Sequence, residues 1–246
     1  MTSGQAAQGS GSSGEPGENS PEQADFEKDY WEDRWLGNHR ASASSMRTAA
    51  VNPHLVREVD GLSPGTVLDA GCGAGGEAIW LATAGWQVTA VDISAAALEQ
   101  AADRARTAAP TGMIEWVQAD LTTWAPATGF DLVTTHYAHS AIPQLDLYER
   151  LATWVDPGGT LLVVGHLHQA PSDDPSHRDD GPHDHGHTDG QHLQDAASVT
   201  ADGILARLDE STWHIITALE SARTVRGPGG GQRQLRDVVV RARRRR

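Results

Sequence analysis

The chain has 246 residues, with 33 acidic against 19 basic side chains and a formal net charge of -14. A surface this acidic repels phosphate backbones, which argues against nucleic acid as a main partner, and no run approaches the roughly 18 consecutive apolar residues of a membrane span. Cys72 is the single cysteine; an intrachain disulfide and a Cys-built zinc site are both excluded, in keeping with a reducing, cytoplasmic setting.

Residues 1–24 are rich in Gly and Ser and lack the charged-then-apolar pattern of a secretory signal. Such a segment cannot bury enough surface to offset its ordering entropy, so a disordered tail is expected ahead of one domain over residues 25–246. Phe26, Tyr30, Trp31 and Trp35 recur at close to helical spacing and predict an amphipathic helix. After a polar stretch over 37–48, Asn52-Pro53 supplies an N-cap and a first helical residue. A strand is then predicted at 66–69, a helix at 77–84, a strand at 87–92, and a helix capped by Ser94 that runs to about 106. Strands at 113–118 and 130–135 follow, then a helix over 144–155 ended by Asp156-Pro157-Gly158-Gly159, and a strand at 160–165. Strands alternating with helices predict a parallel sheet covered on both faces.

The rhythm breaks at residues 166–196, which hold seven of the twelve histidines and almost nothing apolar. A helix near 201–208 precedes strands at 213–219 and 235–240, joined through Arg226-Gly227-Pro228-Gly229-Gly230-Gly231. Two successive strands with no helix between them imply an antiparallel edge. The expected fold is therefore α/β: a doubly wound, mostly parallel seven-stranded sheet with an antiparallel C-terminal edge hairpin. The closing run Arg241-Ala242-Arg243-Arg244-Arg245-Arg246 reads as a solvated tail.

The turn Asp69-Ala70-Gly71-Cys72-Gly73-Ala74-Gly75 follows the first strand, where glycines let a ligand approach the backbone and the next helix offers its positive end. Gly71, Gly73 and Gly76 also satisfy the dinucleotide pattern, so the glycines alone are ambiguous. Asp69, just ahead of them, suits a cationic amino group and would sit badly beside a pyrophosphate. Asp92 closes the second strand, where a carboxylate accepts ribose hydroxyls in either kind of site. Asp120 follows the third strand, placed to accept from an adenine amino group. The closing helix and hairpin are foreign to the usual dehydrogenase half.

Val67-Leu68-Asp69-Ala70-Gly71-Cys72-Gly73-Ala74-Gly75 resembles the first motif of class I S-adenosylmethionine-dependent methyltransferases. Val91-Asp92-Ile93-Ser94 resembles the second, Ala119-Asp120-Leu121 the third and Phe130-Asp131-Leu132-Val133 the fourth. Val155-Asp156-Pro157-Gly158-Gly159 resembles the turn before the fifth strand, and the motifs run in order over roughly residues 50–166. The resemblance implies a Rossmann-like methyltransferase fold, S-adenosyl-L-methionine as cofactor and methyl transfer to a small-molecule acceptor. It also implies cofactor contacts from Asp69, Gly71, Cys72, Gly73, Gly75, Asp92, Ile93, Ala119, Asp120 and Leu121. A finer resemblance, to the tellurite-resistance and thiopurine-type group, rests on Tyr30-Trp31-Glu32-Asp33-Arg34-Trp35, Asn52-Pro53 and Ala78-Ile79-Trp80-Leu81-Ala82. The chain departs from that group at Ala74, where many relatives are acidic, and in its His/Asp insertion. The rival readings are an NAD-dependent oxidoreductase and a non-catalytic metal-buffering protein.

Methyl transfer from a sulfonium is an in-line displacement whose activation the cofactor carries. The protein mainly aligns the reactants, which can be worth about 7–11 kcal/mol, and a general base is optional. Thr135-His136-Tyr137-Ala138-His139-Ser140 follows the fourth strand at the carboxyl edge, beside the switch point where ligands bind. His139 is the candidate base or acceptor contact, because imidazole titrates near neutrality; His136 is expected to line the cofactor pocket. Trp31 and Trp35 are candidates for a lid, and Asp131 for a structural role at its strand start. His183-Asp184-His185-Gly186-His187, with His166, His168, His177 and His192, has side chains that suit zinc, nickel or copper. Alternating histidines lack the helical frame of a fixed site, so the insertion at about 167–196 is expected to be a mobile surface loop. Weak chelation of divalent metal is the most it should do, and no catalytic metal ligand is assigned.

Overall fold

The computed structural model describes residues 21–36, 51–167, 198–226 and 232–246. Residues 1–20, the stretch 37–50, the histidine-rich insertion from His168 to residue 197 and the hairpin tip 227–231 lie outside the described residues. Seven strands form one sheet: β1 (Thr66–Ala70), β2 (Gln87–Asp92), β3 (Ile114–Gln118), β4 (Phe130–His136), β5 (Val155–His166), β6 (Trp213–Arg226) and β7 (Gln232–Arg244), in the order β3-β2-β1-β4-β5-β7-β6. The first five are parallel, and β7 runs antiparallel to both β5 and β6.

Burial on both faces explains why the strands read as unbroken apolar runs. Leu68, Val133 and Leu161 pack with Leu147 and Leu151 of a helix at Gln144–Thr153 and with Ile204 of a short helix at Ala201–Leu205. Their strand neighbours Val67, Leu132 and Leu162 point to the opposite face. There they meet Leu55 of the helix at Pro53–Val59 and Leu81 of the helix at Gly76–Thr83. Each fully buried leucine contributes about 1.5–3 kcal/mol. The helices are numbered α1 (Pro21–Leu36), α2 (Pro53–Val59), α3 (Gly76–Thr83), α4 (Ala95–Ala108), α5 (Gln144–Thr153) and α6 (Ala201–Leu205).

Local chemistry sets the helix ends. Ser94 Oγ accepts from the Ala97 N–H at 3.1 Å and starts α4, a cap worth about 1 kcal/mol. Asn52 Oδ1 accepts from the His54 N–H at 2.9 Å and starts α2, with Pro53 at its first position. Asp131 takes the structural role expected of it: its Oδ2 accepts from the Thr66 N–H at 2.9 Å and from the Thr66 hydroxyl at 3.0 Å, pinning the start of β1 to β4.

Several boundaries differ from the sequence reading. α1 begins at Pro21, inside the segment read as tail. α5 stops at Thr153, and β5 begins at Val155 rather than 160. Val155 already pairs with Phe130 while Thr160 pairs with Leu132, so the Asp156-Pro157-Gly158-Gly159 segment bulges out of the ladder, with Gly158 at φ 89°. β6 and β7 extend well past the predicted 213–219 and 235–240, because each is held by backbone pairing to the other where apolar content has run out. The C-terminal arginine run is therefore mostly strand, not tail. Arg243 Nε donates to the Gly158 carbonyl at 3.2 Å, and an Arg244 guanidinium N–H donates to the Val155 carbonyl at 2.5 Å.

From β1 the chain steps outward to β2 and β3, then returns across the sheet to β4 and β5. This puts the switch point at the carboxyl ends of β1 and β4, where a crevice forms in such sheets.

Candidate active site

The glycine turn is built by backbone geometry. Gly71, Gly73 and Gly75 hold φ values of 75°, 51° and 72°, a left-handed region that strains a side chain. The N–H groups of Gly71 and Cys72 donate to the Val91 carbonyl at 2.9 and 3.0 Å, tying the turn to the end of β2. A Cβ on Gly71 would lie 2.4 Å from the Ala138 methyl, so the loop after β4 comes down onto the turn. A Cβ on Gly73 would lie 3.1 Å from the Trp35 ring.

α1 roofs this region. Glu32 accepts from the Ser94 hydroxyl at 2.7 Å and from the Ala96 N–H at 3.2 Å, hooking α1 to the start of α4. Trp35, 5% exposed, packs among Ala74, Ala96 and Ala97.

Two carboxylates face the turn. Asp92 Oδ2 accepts from the Gly73 N–H at 2.8 Å and Oδ1 from the Ser94 N–H at 3.0 Å, each oxygen keeping a lone pair for a further donor. Burial raises its pKa against those bonds. Asp69 is 1% exposed, and its Oδ2 has no hydrogen-bond partner among the described residues. Burial, then the charges of Glu77 and Asp92, push its pKa well above the usual aspartate value. His136 Nδ1 lies 4.0 Å from Asp69 Oδ1, and neither ring nitrogen has a hydrogen bond among the described residues. Burial, the leading cause, holds its pKa below the ordinary histidine value. Cys72 is buried and its thiol is pushed up by burial and by Asp92 and Asp69, so it is no thiolate near neutrality.

The remaining sequence-derived cofactor residues border this centre. Ile93 is half-buried beside Asp92, and the Ala119 N–H donates to the Asp92 carbonyl at 3.0 Å. Asp120 Oδ1 accepts from the Thr122 N–H at 2.8 Å, while Leu121 packs into the core beneath β3 and β4.

On the β4 and β5 side a row of rings lines the carboxyl edge. Trp31 stands 5.4 Å from His139, His139 5.6 Å from His166, and His166 4.8 Å from Tyr137, centroid to centroid. Tyr137 has a left-handed backbone at φ 54°. Its hydroxyl, pushed up to about 12 chiefly by burial, donates to Asp237 Oδ1 at 2.7 Å. Asp237 is fully buried and also meets Arg223 Nε at 2.5 Å and His54 Nε2 at 3.1 Å. The sequence reading missed Tyr137, Arg223 and Asp237. The available signal was one carboxylate in the apolar run Leu235-Arg236-Asp237-Val238-Val239-Val240. Among the described residues no group of three or more His, Cys, Asp or Glu is disposed to hold a metal; the His183-Asp184-His185-Gly186-His187 run lies outside them.

A parallel core closed by an antiparallel β7-β6 edge, with a left-handed glycine turn after β1 and an acid ending β2, is the architecture of class I methyltransferases. Residues 67–159 match the family described as "Methyltransferase domain". The match takes in the glycine turn and Asp92, which sets aside the dinucleotide reading. The chain is 34% identical over 149 residues to a trans-aconitate 2-methyltransferase of Streptomyces avermitilis, covering 57% of this chain and 50% of that protein. It is 42% identical over 118 residues to an uncharacterised methyltransferase of Mycobacterium tuberculosis, covering 46% and 58%. The chain thus spans about half the length of these curated relatives. A magnesium protoporphyrin IX methyltransferase from Synechocystis, solved with bound S-adenosylhomocysteine, superposes with a TM-score of 0.60 at 19% identity, over 90% of this chain and 99% of that one. At that identity the likeness shows the fold.

Proposed function

We propose that the chain is an S-adenosylmethionine-dependent methyltransferase acting on a small-molecule acceptor. The observation that carries this is the unsatisfied Oδ2 of the buried Asp69 carboxylate at the mouth of the glycine turn. A buried carboxylate oxygen without a donor is costly, and an ammonium supplies both the charge and the N–H groups it lacks. Asp92, with spare lone pairs on both oxygens, fits a vicinal diol. The donor set therefore suits an amino acid–nucleoside conjugate. Asp69 would hold the amino group, Asp92 the ribose hydroxyls, with Ile93, Ala119, Asp120 and Leu121 bordering the base and the backbone of Gly71, Cys72, Gly73 and Gly75 close against the ligand.

S-adenosylmethionine, when bound, supplies an activated methyl group that passes to the acceptor as the carbon–sulfur bond breaks, leaving S-adenosylhomocysteine. The chain's own work is alignment and exclusion of water. Trp35 and Trp31 on α1 close the turn from above, and His136 keeps a neutral imidazole beside Asp69. His139, in the row of rings, takes the acceptor's proton where the acceptor carries one; an anionic acceptor needs no base. Methylation of RNA is disfavoured by the net charge of -14. The relatives named for trans-aconitate support a small acceptor. A cytoplasmic setting is supported by the unpaired Cys72, and no described helix is long and apolar enough to cross a membrane.

Thermal denaturation with and without ligand tests the reading. S-adenosylhomocysteine at about 100 times its Kd should stabilise the fold by about 2.7 kcal/mol, and NADH should not. Stabilisation by NADH alone would refute the proposal, and a labelled-methyl screen across acceptor classes would then extend a positive result.

A further inference from the structure

The β6–β7 hairpin overshoots the strand it packs on. β5 ends its pairing at His166↔Asp237, whereas β6 and β7 stay paired beyond that point through Ala222↔Arg236 and Arg223↔Leu235. Arg223 therefore stands past the carboxyl ends of the parallel strands, on the side where Tyr137 and His139 emerge from β4. Its guanidinium is fixed in a closed triangle: Nε donates to Asp237 Oδ2 at 2.5 Å, an Nη2 N–H donates to the Tyr137 hydroxyl at 3.0 Å, and that hydroxyl donates to Asp237 Oδ1 at 2.7 Å. The Asp237 side chain has no exposure, but that of Arg223 is 27% exposed. A guanidinium has five N–H donors; Nε and one on Nη2 are used, and no other described residue bonds to the rest.

We propose that Arg223 is the anchor for a carboxylate, or another oxyanion of the same planar chemistry, on the methyl acceptor. The inference rests on the methyl-transfer reading and deepens it by naming the acceptor class. Three features of the site carry it. A planar fork already ordered by a buried acid loses little entropy on gripping a second oxyanion, which is how arginine recognises carboxylates. From Tyr137, whose hydroxyl this guanidinium bonds, the row of His166, His139 and Trp31 leads in ring-to-ring steps of 4.8, 5.6 and 5.4 Å to the helix that roofs the glycine turn. An acceptor held at Arg223 thus lies along a wall that ends at His139 and the cofactor turn. Finally, a chain of net charge -14 repels small anions as a whole, so an anionic acceptor needs strong local donors, and the N–H groups of Arg223 not used on Asp237 and Tyr137 are such donors at the acceptor edge.

The bland alternative is that Arg223 only neutralises Asp237. A lysine would serve that purpose equally, but it lacks the fork. Isothermal titration of the full chain separates the two, using tricarballylate as the oxyanion probe and its neutral triamide as control, alongside a titration with S-adenosylhomocysteine. The wild type should bind the triacid and not the triamide. Arg223→Lys should weaken the triacid about tenfold, and Arg223→Gln further, with melting temperature and S-adenosylhomocysteine affinity of Arg223→Lys unchanged. Equal triacid affinity in wild type and Arg223→Lys, or triamide binding as tight as triacid binding, overturns the proposal. Failure of the wild type to bind S-adenosylhomocysteine overturns the methyl-transfer reading instead, so the two failures appear in different titrations. Should Arg223→Gln fail to fold, Arg223→Lys alone decides.

Discussion

Two buried aspartates at the same edge of the sheet are treated in opposite ways. Asp237, fully buried, is met by three side chains, Tyr137, Arg223 and His54. Asp69, 1% exposed, has an oxygen that no described residue satisfies and a pKa pushed well up by burial. A buried carboxylate with its donors in place is scaffold, holding other groups where they are needed. One left short of donors in a crevice lined by left-handed glycines suits the cationic ligand of the proposed function. On the proposed function, the contrast divides the site into a cofactor half, built from backbone and an incomplete acid, and an acceptor half, built from side chains that complete one another.

The largest effect should come from breaking the completed acid. Asp237→Ala strands the Arg223 charge, the Tyr137 hydroxyl and the His54 ring nitrogen together, and removing one partner of a buried ion pair costs about 3–5 kcal/mol. Urea unfolding measures it; a loss under about 1 kcal/mol would mean the network is ornamental. Asp69→Asn should do the reverse for the free protein. A carboxyl whose folded pKa lies above its unfolded value contributes stability that is full below about pH 4 and is lost as pH rises through the folded pKa. Asn escapes that loss, so the variant's advantage in melting temperature should grow with pH from about 4 upward. Its affinity for S-adenosylhomocysteine should fall about hundredfold, equivalent to about 2.7 kcal/mol. A variant neither more stable nor weaker in binding would erase the contrast between the two acids.

The two halves are unequally legible in the amino-acid sequence. The cofactor half is local: Asp69 to Gly75 is one short segment, and glycine is the residue that takes φ values of 75°, 51° and 72° at alternate positions without strain. The parallel sheet covered on both faces follows from the alternation of apolar runs and helices, since both faces of each parallel strand have to be covered. The acceptor half depends on register. Tyr137 and Asp237 are 100 residues apart, and Tyr137 and Arg223 are 86 apart. They meet because the hairpin continues past its apolar residues, which hydrophobic patterning does not report. His139 can be picked out by its position after β4. Tyr137 cannot, because nothing in a Tyr codes for the left-handed backbone that turns it toward the hairpin.

A smaller effect should follow from the roof. Trp35→Ala removes the ring that covers Gly73, while α1 remains hooked to α4 through Glu32. Because α1 packs on the turn rather than inside the sheet's two main clusters, the melting temperature should move little. S-adenosylhomocysteine affinity should drop about tenfold, or about 1.4 kcal/mol. An unchanged affinity and turnover would remove Trp35 from the site.

The subtlest test reads protons rather than stability. In the free protein burial raises the Asp69 pKa and lowers that of His136, so both groups lean toward their neutral forms. A cationic amino group arriving at Asp69 favours the carboxylate, and the displaced proton must leave. His136, whose pKa burial lowers, leans toward the form that has none to give. Titrating S-adenosylhomocysteine across a range of pH in buffers of different ionisation enthalpy should therefore show proton release that sets in above the ordinary aspartate value of about 4 and fades as pH rises through the raised Asp69 pKa. The release should vanish in Asp69→Asn and persist in His136→Asn. Uptake of a proton would instead mean that His136 charges on binding, and would move the receptor role from the acid to the imidazole.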